Sequence, residues 1–331
     1  MIWVTFLISA GLTILAAVKL AEYGDVIAVR TGLGGMFIGT LLLAGATSLP
    51  EFLTMINAIE QAVPSLAAGN IFGSCMFNMF MLAILDLLHQ RQRILRAVAL
   101  RHAISAGIAV LMGSLALFFV LAKIPLRAAW IGLDSLVLML VYVGGMRLVN
   151  QSNPTATPEA LRPEEEAALP RLSRALLGFG GATAVLVLVT PWLVQSAAAV
   201  AEATGVSTGF VGAALVAVVT SLPEVATTIS AARIGAYDLA IGNLFGSNAF
   251  NIFALGATDL FYTSGLFLSD VDPVMTLAAA LGVVLTAMAL VGNVARLERR
   301  LLFMEVDALL IALTYGLGMW LLYSRGLVVT G

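Results

Sequence analysis

The chain is 331 residues long, 60% hydrophobic and only 11% charged, with a mean hydropathy of +1.02 and a formal net charge of −2 at pH 7. Soluble domains carry roughly 25% charged residues, so this composition excludes a water-soluble domain, places the chain in a lipid bilayer and gives no basic surface for a nucleic-acid partner. A single cysteine, Cys75, excludes an intramolecular disulfide framework and a thiolate metal cluster.

Hydrophobic runs between charged or turn-rich breaks predict ten membrane spans, at roughly 2–20, 33–58, 64–86, 98–121, 128–148, 174–200, 208–232, 237–261, 273–293 and 304–323. The first, Ile2 to Leu20, is read as a true span, because similar runs recur along the whole chain whereas a secretory leader would be one short stretch. The second carries Thr47-Ser48-Leu49-Pro50-Glu51, and the third carries Gly69-Asn70-Ile71-Phe72-Gly73-Ser74. An arginine-rich loop follows, flanked by His89 and His102, which are read as solvated interfacial residues without assigned chemistry. After the fifth span comes the longest polar interval, Gln151 to Arg171, with Pro154, Pro158, Pro163, Pro170 and the run Glu164-Glu165-Glu166. It is read as a linker, dividing the chain into a first half at 1–149, a linker at 150–173 and a second half at 174–331. The seventh span then repeats Thr220-Ser221-Leu222-Pro223-Glu224, and the eighth repeats Gly242-Asn243-Leu244-Phe245-Gly246-Ser247.

Aligned without a gap, Gly39 to Phe80 matches Gly212 to Phe253 at about 21 of 42 positions, so the chain is a duplicated unit. Five spans is an odd number, and the second copy must therefore enter the membrane from the opposite side. The expected fold is all-α, ten transmembrane helices in two inverted five-helix repeats. The positive-inside rule tests the alternation, since short cytoplasmic loops collect Lys and Arg. The odd-numbered loops gather Lys19, Arg30, Arg91, Arg93, Arg96, Arg101, Arg147, Arg162, Arg171, Arg174, Arg233, Arg296, Arg299 and Arg300, leaving only Lys123, Arg127 and Arg325 for the other side. Both termini are expected to face out, with the 150–173 linker cytoplasmic and the protein in the plasma membrane.

Each copy places one carboxylate inside an apolar span, and an intramembrane ionisable residue is a functional-site hypothesis by default. In a continuous helix Thr47 and Glu51 share a face, as do Thr220 and Glu224. Pro50 and Pro223 lack an N–H, which releases the carbonyls of Ala46 and Val219 and bends the helix at the carboxylate. Asn70, Ser74 and Asn78 form a second polar stripe, repeated by Asn243, Ser247 and Asn251. The set offers carboxylate, hydroxyl, amide and carbonyl oxygens, with neither His nor a thiolate pair for zinc or copper. Such oxygens suit Ca²⁺ better than Mg²⁺, which dehydrates reluctantly, and Na⁺ can use the same hydroxyls and carbonyls. The glycines of the repeats are read as close-packing positions. A back-bonded hydroxyl is the usual role of Ser and Thr in membrane helices, but their recurrence beside a carboxylate in both halves favours a ligand role. Asp86, Asp134 and Asp307 are expected to snorkel at span ends, and Asp259, Asp270 and Asp272 to form a solvated outward loop. No His-Glu-x-x-His or Gly-x-Ser-x-Gly motif marks an enzyme, and a cation channel with the same oxygens as its filter is a weaker alternative to alternating access.

These two copies resemble the α-repeats of the Ca²⁺:cation antiporter superfamily, specifically its Na⁺/Ca²⁺ exchanger branch. The resemblance implies a core of the second, third, seventh and eighth helices, across which the long first and sixth helices slide to alternate access. It implies Glu51 and Glu224 as the central Ca²⁺ ligands, joined by the backbone carbonyls of Thr47 and Thr220. Ser48, Ser221, Ser74 and Ser247, with the carbonyls of Ala44 and Ala217, are implied to complete flanking Na⁺ sites, and Asn78 and Asn251 sit where the family places further polar side chains. Some relatives, including the K⁺-dependent exchangers, carry Asp at the position of Asn251, so K⁺ co-transport is not expected. Cys75 replaces the Asn found at its repeat equivalent, Asn248, and is read as packing. The implied function is Ca²⁺ antiport against Na⁺, or against H⁺ on the same carboxylates. No cofactor and no obligatory protein partner are expected beyond the transported ions and the lipid bilayer.

Overall fold

Apolar side chains recur along this sequence with almost no polar face between them, so its helices satisfy their backbone groups internally and find neighbours, or lipid, on every side. The computed structural model describes residues 2–31, 45, 47–88, 99–152, 169–233, 237–295, 300–301 and 304–329. Within them run α1 (Ile2–Thr31), α2 (Leu49–Glu60), α3 (Pro64–Leu88), α4 (Ala99–Ala122), α5 (Leu133–Ser152) and α6 (Leu172–Thr204). The second half continues with α7 (Thr208–Val211), a π-helical turn at Gly212–Val216, α8 (Ala217–Thr220), α9 (Leu222–Arg233) and α10 (Tyr237–Ala257). It closes with α11 (Phe267–Asp270), α12 (Met275–Ala295) and α13 (Val306–Val329). Among the described residues, α1, α3, α4, α6, α12 and α13 are long and apolar enough to cross a membrane, and Thr208–Thr220 with Leu222–Arg233, bent by 45°, would make a seventh crossing. The remaining expected spans fall on α2, α5 and α10, which are helical.

Helix α3 is the centre of the bundle. Leu66 to Met79 are buried without interruption, and the helix packs against α2, the π-helical turn, α10, α12 and α13. Its closest approach is to the start of the broken seventh segment. A methyl group on Gly69 would collide with the carbonyl oxygen of Gly209, and one on Gly73 would lie 2.5 Å from the Cα of Ala213. The two backbones are in direct contact there, so the expected packing role of these glycines holds. In the other half, Gly242 faces the imidazole of His102. His102 is half-buried in α4, contrary to the expectation of a solvated interfacial side chain, because the missing side chain at Gly242 opens a slot for the ring. His89 lies outside the described residues.

Helices α1 and α6 pair along most of their length, through Ala16, Ala17, Leu20, Ala182 and Leu186. Arg30, at the end of α1, donates to the carbonyls of Leu169 (2.7 Å) and Pro170 (3.2 Å) just before α6 begins, so the pair is antiparallel. At 30 and 33 residues and 1.5 Å per residue, each exceeds the ~30 Å hydrocarbon core. The first span was expected to end near Leu20. The helix continues to Thr31 with Lys19 and Glu22 paired on its exposed face at 2.6 Å, while Ala21 and Val26 stay buried on the other and Arg30 ties its end to the start of α6.

Small strands interrupt the all-α expectation: β1 (Arg127–Ala128) with β2 (Ile131–Gly132), and β3 (Arg300–Leu301) with β4 (Met304–Glu305). Their antiparallel registers are the same at a constant offset of 173, Arg127 opposite Gly132 and Arg300 opposite Glu305. Each hairpin is tied to the end of a core helix by a carboxylate that obeys the same offset. Asp259 accepts from the backbone N–H of Gly132 (2.5 Å) and of Phe267 (2.9 Å), and Asp86 accepts from that of Glu305 (3.4 Å). The duplication therefore extends well beyond the aligned motifs. Asp259 is fully buried, and Asp86 and Asp134 nearly so, which corrects the reading of Asp259 as a solvated loop acid and of the other two as snorkelling. Their hydrogen bonds are to backbone amides, which hold them inside. Asp270 is exposed as expected. Charge-assisted hydrogen bonds contribute about 1.5–3 kcal/mol each, so Asp259→Ala is expected to lower the melting temperature in detergent by roughly 5–10 °C. Asp270→Ala should leave it within about a degree, and differential scanning fluorimetry compares the two.

Candidate ion site

The site begins with two breaks in helical backbone. Ser48 (φ −92°, ψ 8°) and Ser221 (φ −85°, ψ 3°) adopt the same non-helical conformation, each two residues before the proline that cannot donate to the preceding turn. The helix resumes at once, with Phe52 N–H donating to the Ser48 carbonyl (3.2 Å) and Val225 N–H to that of Ser221 (3.1 Å). Each break carries a serine hydroxyl and, three residues on, a carboxylate. The π-helical turn at Gly212–Val216, a wide turn of the kind found at functional sites, sets the approach to the second break.

The breaks cross, and each serine serves the carboxylate of the other repeat. Ser48 Oγ donates to Glu224 Oε1 at 2.9 Å, and Ser221 Oγ donates to Glu51 Oε1 at 2.9 Å. The expectation that Thr47 and Glu51 stack on one continuous helical face is therefore replaced by an exchange between halves: with the helix broken at Ser48, Thr47 lies against Glu224 and Thr220 against Glu51. The neighbouring helices support this crossing. Asn70 of α3 donates to the Glu51 carbonyl (3.4 Å) and accepts from Thr220 Oγ1 (3.1 Å). Asn243 of α10 donates to the Glu224 carbonyl (3.4 Å) and to Thr227 and Thr228.

Glu51 and Glu224 expose 0% and 1% of their surface. Each carboxylate uses one oxygen for its serine, while Glu51 Oε2 and Glu224 Oε2 have no hydrogen-bond partner. The same is true of Ser74 Oγ, Ser247 Oγ, Asn78 Oδ1 and Asn251 Oδ1, all buried. Buried polar atoms without partners are rare, and each calls for an explanation. Among these residues the unpartnered oxygens come in repeat-related pairs, Glu51 with Glu224, Ser74 with Ser247 and Asn78 with Asn251, and only Asn251 also leaves a nitrogen, Nδ2, without a partner. Two anionic side chains in a dry interior are mutually repulsive and poorly solvated unless a cation sits among them, and hydroxyl and amide oxygens complete a hard-ion shell.

Of the other expected site residues, Ala217 accepts from Ser221 N–H (3.0 Å) at its carbonyl, and Ala44 lies outside the described residues. The carbonyl expected to be released at Ala46 also lies outside them.

A family model described as sodium/calcium exchanger protein matches residues 1–149 and 174–324. The chain belongs to this exchanger family. Inner membrane protein YrbG of Escherichia coli (strain K12) is 29% identical over 288 residues, covering 82% of this chain and 83% of its own length. Among solved structures, the H⁺/Ca²⁺ exchanger CAX superposes with a TM-score of 0.74 at 13% identity, over 99% of this chain and 86% of that one. The sodium-calcium exchanger NCX_Mj superposes with a TM-score of 0.57 at 21% identity, over 97% of this chain and 99% of that one. At such identities the likeness is one of fold. This exchanger-family chain is accordingly a multi-pass integral membrane protein whose buried oxygens line the crossing of its two duplicated motifs.

Three contributors to the site went unassigned in the sequence reading. Asn70 and Asn243 were visible as repeated positions, but their contacts with the Glu carbonyls need the break geometry to be seen. Asn248 was hidden because its counterpart in the first half is Cys75, and a position that differs between copies looks like a place where nothing is required.

Proposed function

We propose that this exchanger-family protein is a secondary active antiporter that carries Ca²⁺ in exchange for Na⁺ by alternating access, with Glu51 and Glu224 as the shared ligands. The observation that carries the reading is the set of buried, unpartnered oxygens in repeat-related pairs. Ca²⁺ takes both carboxylates together with the backbone carbonyls of Thr47 and Thr220. Na⁺ ions take the carboxylates in turn with the hydroxyls of Ser48, Ser221, Ser74 and Ser247, the carbonyls of Ala44 and Ala217 completing their shells. Because both ions use the same carboxylates, occupancy by one excludes the other, and only a filled site is neutral enough to cross. That exclusion is what couples the two fluxes.

The same reading takes the chain as ten spans in two inverted halves, 1–149 and 174–331, joined by a cytoplasmic linker at 150–173, with both termini outside the plasma membrane. The antiparallel α1–α6 pair and the matched carboxylate–hairpin ties support it, since the end of α3 meets β4 and the end of α10 meets β2. Sliding of α1 and α6 across the remaining helices then opens the cage to either side in turn.

A second reading is Ca²⁺/H⁺ exchange on the same carboxylates, the exchange named for the CAX structure that shares this fold. The two differ in what they ask of the hydroxyls, because a proton needs no ligands beyond the carboxylate itself. Purified protein in liposomes is expected to take up ⁴⁵Ca²⁺ when an outward Na⁺ gradient is imposed at equal pH. Uptake driven by a pH gradient with choline replacing Na⁺ would transfer the assignment to H⁺.

A further inference from the structure

Below the crossing, one chain of hydrogen bonds runs from α12 through α10 to α3, and its direction can be worked out atom by atom. Thr286 Oγ1 donates to the Gly282 carbonyl (2.7 Å), which uses its proton and leaves its lone pairs to accept. Asn248 Nδ2 donates to Thr286 Oγ1 (3.3 Å) and to the Cys75 carbonyl (3.2 Å). A backbone carbonyl only accepts, so the atom of Asn248 facing it must be nitrogen, and Oδ1 must be the atom facing Asn78. Asn78 in turn presents its Nδ2 to Asn248 Oδ1 (3.0 Å). Its own Oδ1 is left buried and without a partner. The amide orientation follows from the connectivity, without any proton having to be seen.

In the other half the same positions make only weaker sulfur contacts. The residue equivalent to Asn248 is Cys75, whose thiol donates to the Asn248 carbonyl at 3.9 Å and is a weak and poorly directed partner. Asn251, the equivalent of Asn78, is 1% exposed and lies against the Cys75 side chain, with no well-formed hydrogen bond at either its Oδ1 or its Nδ2. A cavity of about 10 Å³ beside Cys75, Asn248 and Thr286, about the volume one water needs, leaves the region around the thiol less tightly filled than the rest of the core.

We propose that Asn248 is a positioning residue that holds Asn78 Oδ1 toward the ion cage, and that Cys75 at the equivalent position holds the Asn251 amide only through a weak sulfur contact, so the two halves serve the transported cations unequally. The inference rests on the reading of the cage as the transport site. In the first half a hard cation meets an oxygen already aimed, and no rotamer has to be ordered on binding. In the second half the ion must itself select the oxygen end of Asn251 and hold it there, which raises the concentration needed to fill that side. A pseudo-symmetric cage thus acquires one preformed flank and one that forms on binding.

The test is a pair of double-mutant cycles read as the half-saturating Ca²⁺ concentration for uptake into liposomes, with maximal rate measured alongside. Asn248→Ala is expected to raise that concentration about tenfold while maximal rate falls less than about twofold. In an Asn78→Ala background it should add nothing further. An equal rise in both backgrounds would overturn the positioning role. Should Asn248→Ala fail to fold, the opposite change decides, because Cys75→Asn removes no existing side-chain ligand. It is expected to lower the half-saturating concentration severalfold, and to have no effect in an Asn251→Ala background; no change in the first case, or the same change in both, would refute the proposed asymmetry. Absence of any Ca²⁺ uptake by the unsubstituted protein would instead remove the antiport reading on which the inference stands.

Discussion

Replacing either Glu51 or Glu224 by Gln is expected to abolish Ca²⁺ uptake, by at least about 100-fold, while leaving the protein folded. Oε1 of Glu51 accepts from Ser221 and Oε1 of Glu224 from Ser48, a bond that the oxygen of Gln can accept equally well. The substitution is nearly isosteric, so the crossing of the two breaks survives. Oε2 is different: it has no partner, and in the Gln variant an amide nitrogen takes its place, pointing donors at a cation. The cage loses one of its two negative charges and gains a repulsive dipole in a low-dielectric setting, where neither is screened. A loss of 100-fold corresponds to about 2.7 kcal/mol, well within what removal of one partner of a buried charge pair costs. Flux assays with ⁴⁵Ca²⁺, together with gel filtration in detergent, measure transport and folding separately. Uptake retained by either variant would mean that the two carboxylates do not share one substrate.

Both glutamates were visible in the sequence because duplication supplies its own control: a carboxylate recurring 173 residues later in an apolar setting is hard to attribute to packing. The inverted arrangement proposed for the two halves also has a sequence signal, in the alternation of Arg and Lys between loops. What could not be read is how the two motifs meet. A helical repeat of four places Thr47 above Glu51, and nothing in the local sequence says that the break at Ser48 turns its hydroxyl to a carboxylate 176 residues away. Asp86 and Asp259 were misjudged for a related reason. The hydropathy pattern places Asp86 at a span end and Asp259 in an outward loop, where water is usually available, and their actual partners include the backbone amides of hairpins too short, at two residues per strand, to carry a strand pattern. The length of α1 is not legible in hydropathy because charged residues end the apolar run, while the helix goes on with Ala21 and Val26 buried beneath them.

The second large effect is expected at Gly73, whose substitution by Val should destroy the fold instead of the chemistry. An added β-carbon there would sit 2.5 Å from the Cα and 2.6 Å from the carbonyl oxygen of Ala213. These are backbone atoms of the π-helical turn, so no side-chain rotation can relieve the clash. The helices would have to separate, and in a membrane nothing but packing and hydrogen bonding holds them together. Separation also strains the Thr220–Asn70 bond (3.1 Å) that spans the same interface and ties Asn70 to the Glu51 carbonyl. Overpacking alone costs about 1–3 kcal/mol, and the loss of a buried hydrogen bond adds about 1–3 kcal/mol more. A membrane bundle of marginal stability should therefore aggregate, seen as elution in the void volume and loss of signal in the membrane fraction. Gly107 and Gly144 are the controls: a β-carbon at either meets nothing within 4 Å, so Gly→Ala there should be neutral or stabilising by up to about 1 kcal/mol through helix propensity. Normal elution and unchanged Ca²⁺ uptake in Gly73→Val would mean that α3 and the π-helical turn do not touch. The crossing of the two motifs would then lack the contact that holds it in register.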